Sequence, residues 1–288
     1  MMTVLDNHAH DPAYSLAAEE RMLTALTEGD WLMLWINEPS VILGKFQNPV
    51  EEVSLIRCAE AGVPLYRRNS GGGTVYHDPG NLNYTILTDA GDSPDYERLL
   101  SPVVSFLRSL GVPAEIDGSA ITAGGVKISG NAQSTSRGRT LHHGTLLFDA
   151  DLTVLNRLTG HRREKVTSRS VKSQPSPVGN IRPMLDGDMT TDEFARRLTD
   201  ALAPNARHRA FTDEEDAWIR ETAAEKYRSW DWTFGRSPAC TVEADGMTVE
   251  IRGGVVCGGN IPALLGCRFM PDEVRALIGE AAERSLFD

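Results

Sequence analysis

Arg67-Arg68-Asn69-Ser70-Gly71-Gly72-Gly73-Thr74-Val75-Tyr76-His77-Asp78 is the stretch on which the reading of this chain turns. Three successive glycines let the backbone turn tightly and bring its N–H groups against a ligand, the usual way to hold a phosphate. The two arginines ahead of them can add charge-assisted bonds to the same anion. The spacing is not that of a Walker A loop, which needs G-x-x-x-x-G-K-[ST]. The plainer alternative is a glycine-rich hairpin that holds nothing.

Upstream, residues 13–27 carry Leu16, Met22, Leu23 and Leu26 among charged residues, a pattern that predicts an amphipathic helix. Trp31–Ile36 reads as a strand ended by the turn residues Asn37–Ser40, with Val41–Leu43 as its hairpin partner. Pro49 opens a helix over Val50–Ala61, and Val63–Arg67 returns as a strand into the glycine loop. Downstream, strands are expected at Thr74–Tyr76 and Asn83–Leu87, then a helix over Asp95–Leu110 ended by Gly111. Short strands follow at Glu115–Ile116 and Gly125–Ser129, and a longer one at Thr140–Phe148. His161–Lys172 is basic and polar and reads as a surface loop. Thr190 and Thr212 each precede a Glu by three residues, the spacing of a capping box, and open helices to about Ala203 and Tyr227. After Pro238 the pattern changes to short strands and a final helix from Pro271, which places a domain boundary near 236–240. Short hairpins intermingled with helices make the class α+β, with mainly antiparallel pairing.

Two further segments carry chemistry. In Gly124-Gly125-Val126-Lys127-Ile128-Ser129-Gly130-Asn131-Ala132-Gln133, a lone lysine stands among small residues. Beside an anion-binding loop its ammonium would neutralise a phosphate or polarise an acyl oxygen; an edge-strand lysine that blocks aggregation is the alternative. In Leu141-His142-His143-Gly144-Thr145-Leu146-Leu147, two adjacent histidines on a strand point to opposite faces, so only one can enter a given site. No third ligand with metal spacing accompanies them.

Composition narrows the field. A net charge of −11 excludes a typical nucleic-acid binder, which needs a basic surface. The amino terminus lacks the basic and apolar regions of a signal peptide, and no apolar run reaches the ~18 residues of a membrane span. Cys58, Cys240, Cys257 and Cys267 show no C-x-x-C spacing and are expected as reduced thiols in a cytoplasmic protein.

Ser70–Asp78, Lys127–Gln133 and His143–Leu147, in this order and at about these separations, together resemble the lipoate–protein ligase A family. Trp35, Val41–Pro49 and Ser229–Pro238 extend the resemblance over residues 30–240, with a looser match over 240–288. The resemblance implies the biotin and lipoate ligase fold, a mixed, mainly antiparallel sheet flanked by helices. Residues 1–238 would form the catalytic domain and 239–288 a small, shortened α+β accessory domain. It implies a two-step reaction: ATP and lipoate give lipoyl-AMP and pyrophosphate, and a carrier lysine then takes the lipoyl group. Lys127 would be the catalytic cation bridging carboxylate and phosphate. Arg68, Asn69, Ser70, Gly71, Gly72 and Gly73 would lie against the acyl group and phosphate, and Thr74, Val75, Tyr76 and His77 beside the nucleotide. Trp35 and His77 would wall an apolar tunnel, with Asn131, His143 and Gly144 alongside. The basic loop at His161–Lys172 would close over the adenylate and keep water off it. The partners implied are lipoyl carrier domains: the glycine-cleavage H protein, the acyltransferase subunits of 2-oxoacid dehydrogenases, or a specialised lipoate-carrying protein. A monomer is the default.

Where family ligases commonly carry an Asn-Asp pair ahead of the lysine, this chain has Asp117-Gly118-Ser119-Ala120-Ile121. Any magnesium contact from this segment falls to Asp117. Three alternatives stay open: an octanoyl transferase working through a cysteine, a transferase taking preformed lipoyl-AMP, and a lipoyl-binding assembly factor that does not adenylate. The first lacks its nucleophile, since no cysteine stands between Cys58 and Cys240.

Overall fold

The computed structural model describes residues 2–91, 95–159 and 165–287. Strands β1 (Thr3–Asp6), β2 (Trp31–Ile36), β3 (Ser40–Leu43), β4 (Leu65–Arg67), β5 (Val75–His77) and β6 (Asn81–Asp89) fill the first third. They alternate with helices α1 (Pro12–Ala25), α2 (Pro49–Glu52) and α3 (Leu55–Glu60). Then come α4 (Tyr96–Ser109), β7 (Ala114–Asp117), β8 (Ala120–Ala123), β9 (Val126–Ser136), β10 (Arg139–Leu147), α5 (Leu152–Thr159) and β11 (Val166–Ser168). The remainder is α6 (Thr191–Leu202), β12 (Arg207–Ala210), α7 (Asp213–Thr222), β13 (Cys240–Ala244), β14 (Met247–Arg252), β15 (Val255–Gly259), α8 (Pro271–Ile278) and α9 (Glu280–Phe287).

These strands make three sheets: β12-β1-β2-β6-β10-β9-β8-β7, β4-β3-β5 and β11-β13-β14-β15. Pairing is antiparallel except for β12–β1, β1–β2 and β3–β4, so the mixed, mainly antiparallel α+β expectation holds. The large sheet is buried on both faces. Leu82, Tyr84, Ile86 and Leu146 pack beneath α4 and α6 against Val103, Leu107, Phe194 and Leu198. On the opposite face Met33, Trp35 and Leu87 meet Leu16 and Met22 of α1. The small sheet and the carboxy-terminal sheet share a third core, in which Val41, Leu43 and Leu55 meet Val242, Ile251, Phe269 and Phe287.

Several expectations need correction. Val41–Leu43 is not the hairpin partner of Trp31–Ile36: β2 pairs with β1 and β6, while the fully buried β3 joins β4 and β5 in the second sheet. The helix expected over Val50–Ala61 is two, because Val53 is extended and the Ser54 hydroxyl accepts from Arg57 N to start a new one. Gly125–Ser129 is the beginning of an eleven-residue strand. Of the expected loop His161–Lys172, positions 161–164 lie outside the described residues, and Val166–Ser168 is a strand on the edge of the carboxy-terminal sheet. Thr212 forms a reciprocal capping box with Glu215. At Thr190 only the hydroxyl half is present, since the Glu193 carboxylate turns to Arg197 instead. The last helix is broken at Gly279, whose φ is +86°.

Candidate active site

Side-chain parity on the large sheet places the site. Odd-numbered residues of β2, β6 and β10 point to the α1 face, and Trp35, Asn83, His143 and Thr145 line a cavity there of about 370 Å³. The small sheet roofs it with Ile42, Arg68, Val75 and His77. A second cavity of about 710 Å³ adjoins it, lined by Tyr76, Leu147, Leu155, Asn156 and Pro175–Val178. Lys127, Gly130, Thr74, Val75, Thr145, Ser173 and Gln174 belong to both, so the lysine stands at the junction.

Lys127 is half-buried, and its ammonium has no hydrogen-bond or ion-pair partner among the described residues. Burial, with repulsion from Arg68, draws its pKa below the ordinary lysine value, and Asp117 offsets part of that. Its backbone is fixed on both sides, by Lys127 N to Pro177 O at 2.8 Å and Gly179 N to Lys127 O at 3.1 Å. A positioned ammonium with spare donors at the meeting point of two cavities is suited to an anion that spans them.

The arginines are placed otherwise than the sequence implies. Arg67 is fully buried and turned away from both cavities. Its guanidinium donates to the carbonyls of Gly44, Lys45, Gln47, Trp232 and Thr233 and to Ser237 Oγ. Arg68 does line the smaller cavity, but it donates to Ser70 Oγ, Ile42 O, Gly71 O and Gly73 O, which leaves one of five N–H groups. Burial lowers both pKa values to about 10, still charged at neutral pH. Arg68 therefore shapes the glycine loop from inside. Gly72, at φ +88°, provides the left-handed turn that brings the Gly71 and Gly73 carbonyls onto it.

His143 faces the cavity while His142 packs on the other face between Tyr84 and Tyr96, as strand alternation requires. His143 Nδ1 lies 2.8 Å from Glu19 Oε1 and its Nε2 lies 2.7 Å from Ser70 Oγ. Glu19 also accepts from Thr85 Oγ1, which accepts from Trp35 Nε1, so one chain of bonds ties α1, β2, β6 and β10 around one end of the cavity. His77 is buried and held neutral, its pKa driven to about 3 by burial and then by Arg68 and His143. Asn131 is fully engaged: Oδ1 accepts from Tyr84 OH, and Nδ2 donates to Ser119 O and Ser129 Oγ. Gly144 makes room for that cluster, since a Cβ there would collide with Asn131 Oδ1 and the Tyr84 ring.

Of the residues singled out from sequence, Trp35, Arg68, Gly72, Gly73, Thr74, Val75, His77, Lys127, Asn131, His143 and Gly144 line the smaller cavity, and Tyr76 the larger. Asn69 and Ser70 sit behind His143, where Asn69 bonds to Tyr227 OH and Lys226; Gly71 lines none of these spaces and acts through its carbonyl. Sequence reasoning missed Glu19, which looks like one more charged helix residue, and Ser173, which sits in a polar loop. It also missed Asn83, although Asn81, Asn83 and Thr85 alternating with Leu82, Tyr84 and Ile86 mark a strand with a polar face.

Ser173 is the pin of a strap over residues 169–178. Its hydroxyl accepts from Thr74 N at 2.8 Å and Gln47 Nε2 at 3.0 Å, and it donates to the buried Glu52 carboxylate. No cysteine lines either cavity. Cys58 and Cys240 are buried, and burial pushes their thiols up to about 12 and about 11. The lining carboxylates Glu19 and Glu52 are both bonded, and among the described residues no three His, Cys, Asp or Glu side chains gather as metal ligands. No helix among them is long and apolar enough to cross a membrane.

The chain is similar to proteins of known activity and structure. Lipoate-protein ligase LplJ of Bacillus subtilis (strain 168) is 39% identical over 247 residues, 82% of this chain and 75% of that protein. A crystal structure of lipoate-protein ligase A bound with ATP superposes with a TM-score of 0.65 at 28% identity, over 81% of this chain and 97% of that one. A bi-partite lipoate protein ligase, described with its E2 lipoyl domain, from Thermoplasma acidophilum gives a TM-score of 0.68 at 25% identity, over 81% and 94%. The family described as the lipoyl protein ligase A/B catalytic domain matches residues 11–203, and the chain belongs to that family.

Proposed function

We propose that this chain is an ATP-dependent lipoate–protein ligase that makes lipoyl-AMP and passes the lipoyl group to a lysine of a carrier domain. The observation that carries the reading is Lys127, an unpartnered cation at the junction of two cavities of unequal size. The smaller, walled by Leu16, Trp35 and Ile42, suits an acyl chain; the larger, behind the strap, suits the nucleotide. A carboxylate oxygen attacks the α-phosphorus, the bond to pyrophosphate breaks, and the mixed anhydride forms across the junction. Two anions must approach for this, and the Lys127 ammonium lowers that repulsion. In the second step a neutral amine attacks the acyl carbon, AMP leaves with the bonding electrons, and the amine loses a proton. Lys127 stabilises charge on the departing phosphate there as well.

ATP binding by the ligase of known structure and the lipoyl domain described with the archaeal ligase support the choice of nucleotide and partner. Magnesium enters with the nucleotide phosphates in this reading, since no three metal-binding side chains gather among the described residues. Residues 1–238 are proposed as the catalytic domain and 239–288 as a short accessory unit, in keeping with β13, β14 and β15 pairing in sequence order. A cysteine-based octanoyl transfer is disfavoured by the lining, which offers no thiol.

The test is pyrophosphate release from ATP, magnesium and lipoate, followed by a mass increase of a lipoyl carrier domain. Transfer from synthetic lipoyl-AMP without pyrophosphate release would replace the ligase reading with a transferase.

A further inference from the structure

We propose that Lys226 and Tyr227 are positioning residues for the acyl cavity: with Glu20 they hold Asn69, and through Ser70 they set His143 on the cavity wall. The inference rests on the ligase reading above, which gives the smaller cavity to the acyl chain. It carries the site into a segment outside residues 11–203, the part of the chain that the family matches.

Behind the glycine loop, Tyr227 OH donates to Glu20 Oε2 at 2.9 Å and accepts from Asn69 Nδ2 at 2.8 Å. Lys226 Nζ donates to both Glu20 oxygens at 2.8 Å and to Asn69 Oδ1 at 3.1 Å, which occupies all three of its donors. Four side chains from three separate segments thus form a closed circuit. Tyr227 is fully buried, and burial, with the Glu20 charge, pushes its phenol well above the ordinary tyrosine value, so the hydroxyl keeps the proton it donates. Lys226 and Tyr227 are neighbours in a π-bulge that follows α7, where Arg228 N donates to Ala223 O, five positions back, at 3.0 Å. Such bulges recur at functional sites, and here two consecutive side chains meet the same two partners.

The circuit reaches the cavity by two routes. Asn69 precedes Ser70, whose Oγ lies 2.7 Å from His143 Nε2. Glu20 follows Glu19, whose carboxylate lies 2.8 Å from His143 Nδ1. Both ring nitrogens of His143 are therefore held by residues adjoining the circuit, and His143 lines the smaller cavity but not the larger. The space between the circuit and His143 is about 20 Å³, room for a single water, so a displaced Asn69 has nowhere to go without moving its neighbours. The path of the loop backbone does not depend on the circuit. Arg68 N donates to Leu43 O, Lys45 N to Ser70 O, and the Arg68 guanidinium to the Gly71 and Gly73 carbonyls. Removing one hydroxyl from the circuit leaves these bonds in place and loosens the cavity wall.

Isothermal titration of lipoate into the purified full chain reads affinity and the fraction of binding-competent molecules separately. Tyr227→Phe should weaken lipoate binding about fivefold at full stoichiometry, while magnesium-ATP binding stays within about twofold of wild type. Asn69→Ala should give a similar loss, and the double variant should stay within about twofold of the weaker single, since both cut the same link. Lipoate binding by Tyr227→Phe within about twofold of wild type would overturn the inference. So would a lowered stoichiometry at unchanged affinity, which marks a purely structural role, or equal losses for lipoate and ATP. A wild type that binds lipoate but releases no pyrophosphate with magnesium-ATP would sink the ligase reading while the Tyr227 comparison stays readable.

Discussion

Arg67 and Arg68 sit in a row before the glycine loop, and Lys127 and Lys172 sit far apart in sequence on a strand and a strap. The arginines look like the anion site in the sequence, yet their donors are almost wholly consumed by the protein's own carbonyls. The lysines, by contrast, keep donors free and line the cavity. A guanidinium has five donors in a rigid fork and organises a loop well; an ammonium is a compact charge that can change partners. The difference separates cations spent on holding the chain's own carbonyls from cations with donors to spare.

The largest effect that could break this contrast is at Lys127. Lys127→Ala should remove acyl-adenylate formation and transfer, by at least ~10²-fold, because a cation aimed at developing charge is lost. Its urea midpoint should barely move, since no protein partner is left behind. Retained transfer would take Lys127 out of its role. Arg67→Ala should do the reverse, costing about 3–5 kcal/mol in urea unfolding as buried carbonyls of Gly44, Gln47 and Thr233 lose their donor. A cost below ~1 kcal/mol would contradict the structural assignment.

Gly144→Ala should cost about 1–3 kcal/mol by driving a methyl into Asn131 and Tyr84, and slow the reaction by shifting the strand beside the cavity. Wild-type stability and rate together would refute that packing.

The smallest effect is the slope of stability with pH. His77 and His142 have pKa values of about 3 in the fold, pressed down mainly by burial, against 6.5 unperturbed. The unfolded chain takes up those protons below pH 6.5 and the folded chain does not, so stability is full above that and falls towards pH 3. The slope is about 1.4 kcal/mol per pH unit for each histidine. His142→Gln should show a shallower loss between pH 7 and pH 5 in urea titrations; an unchanged slope would mean that His142 protonates in the folded state.

Much of this is legible in the sequence. Trp31–Ile36, the loop at Gly71–Gly73 and the opposed histidines follow from periodicity, glycine conformational freedom and strand alternation, while Lys127 stood out as a lone lysine among small residues and took its role from the family resemblance. What the sequence hid was partnership over distance. Arg67 finds half of its acceptors 165–170 positions away, at Trp232, Thr233 and Ser237. Glu19 meets His143 across 124 positions. The edge strand Val166–Ser168 was hidden because its three residues pair with a strand 72 to 76 positions later, so local pattern favoured a loop. Local rules place a residue on an element and its face; which groups then use up its donors is decided by tertiary contact.

The most direct test is a crystal structure of the chain with a non-hydrolysable lipoyl-AMP analogue. The lipoyl chain should lie in the smaller cavity against Trp35 and Ile42, the adenosine in the larger one, and the phosphate on Lys127. A phosphate carried by Arg67, or an adenosine lodged beside Trp35, would contradict it.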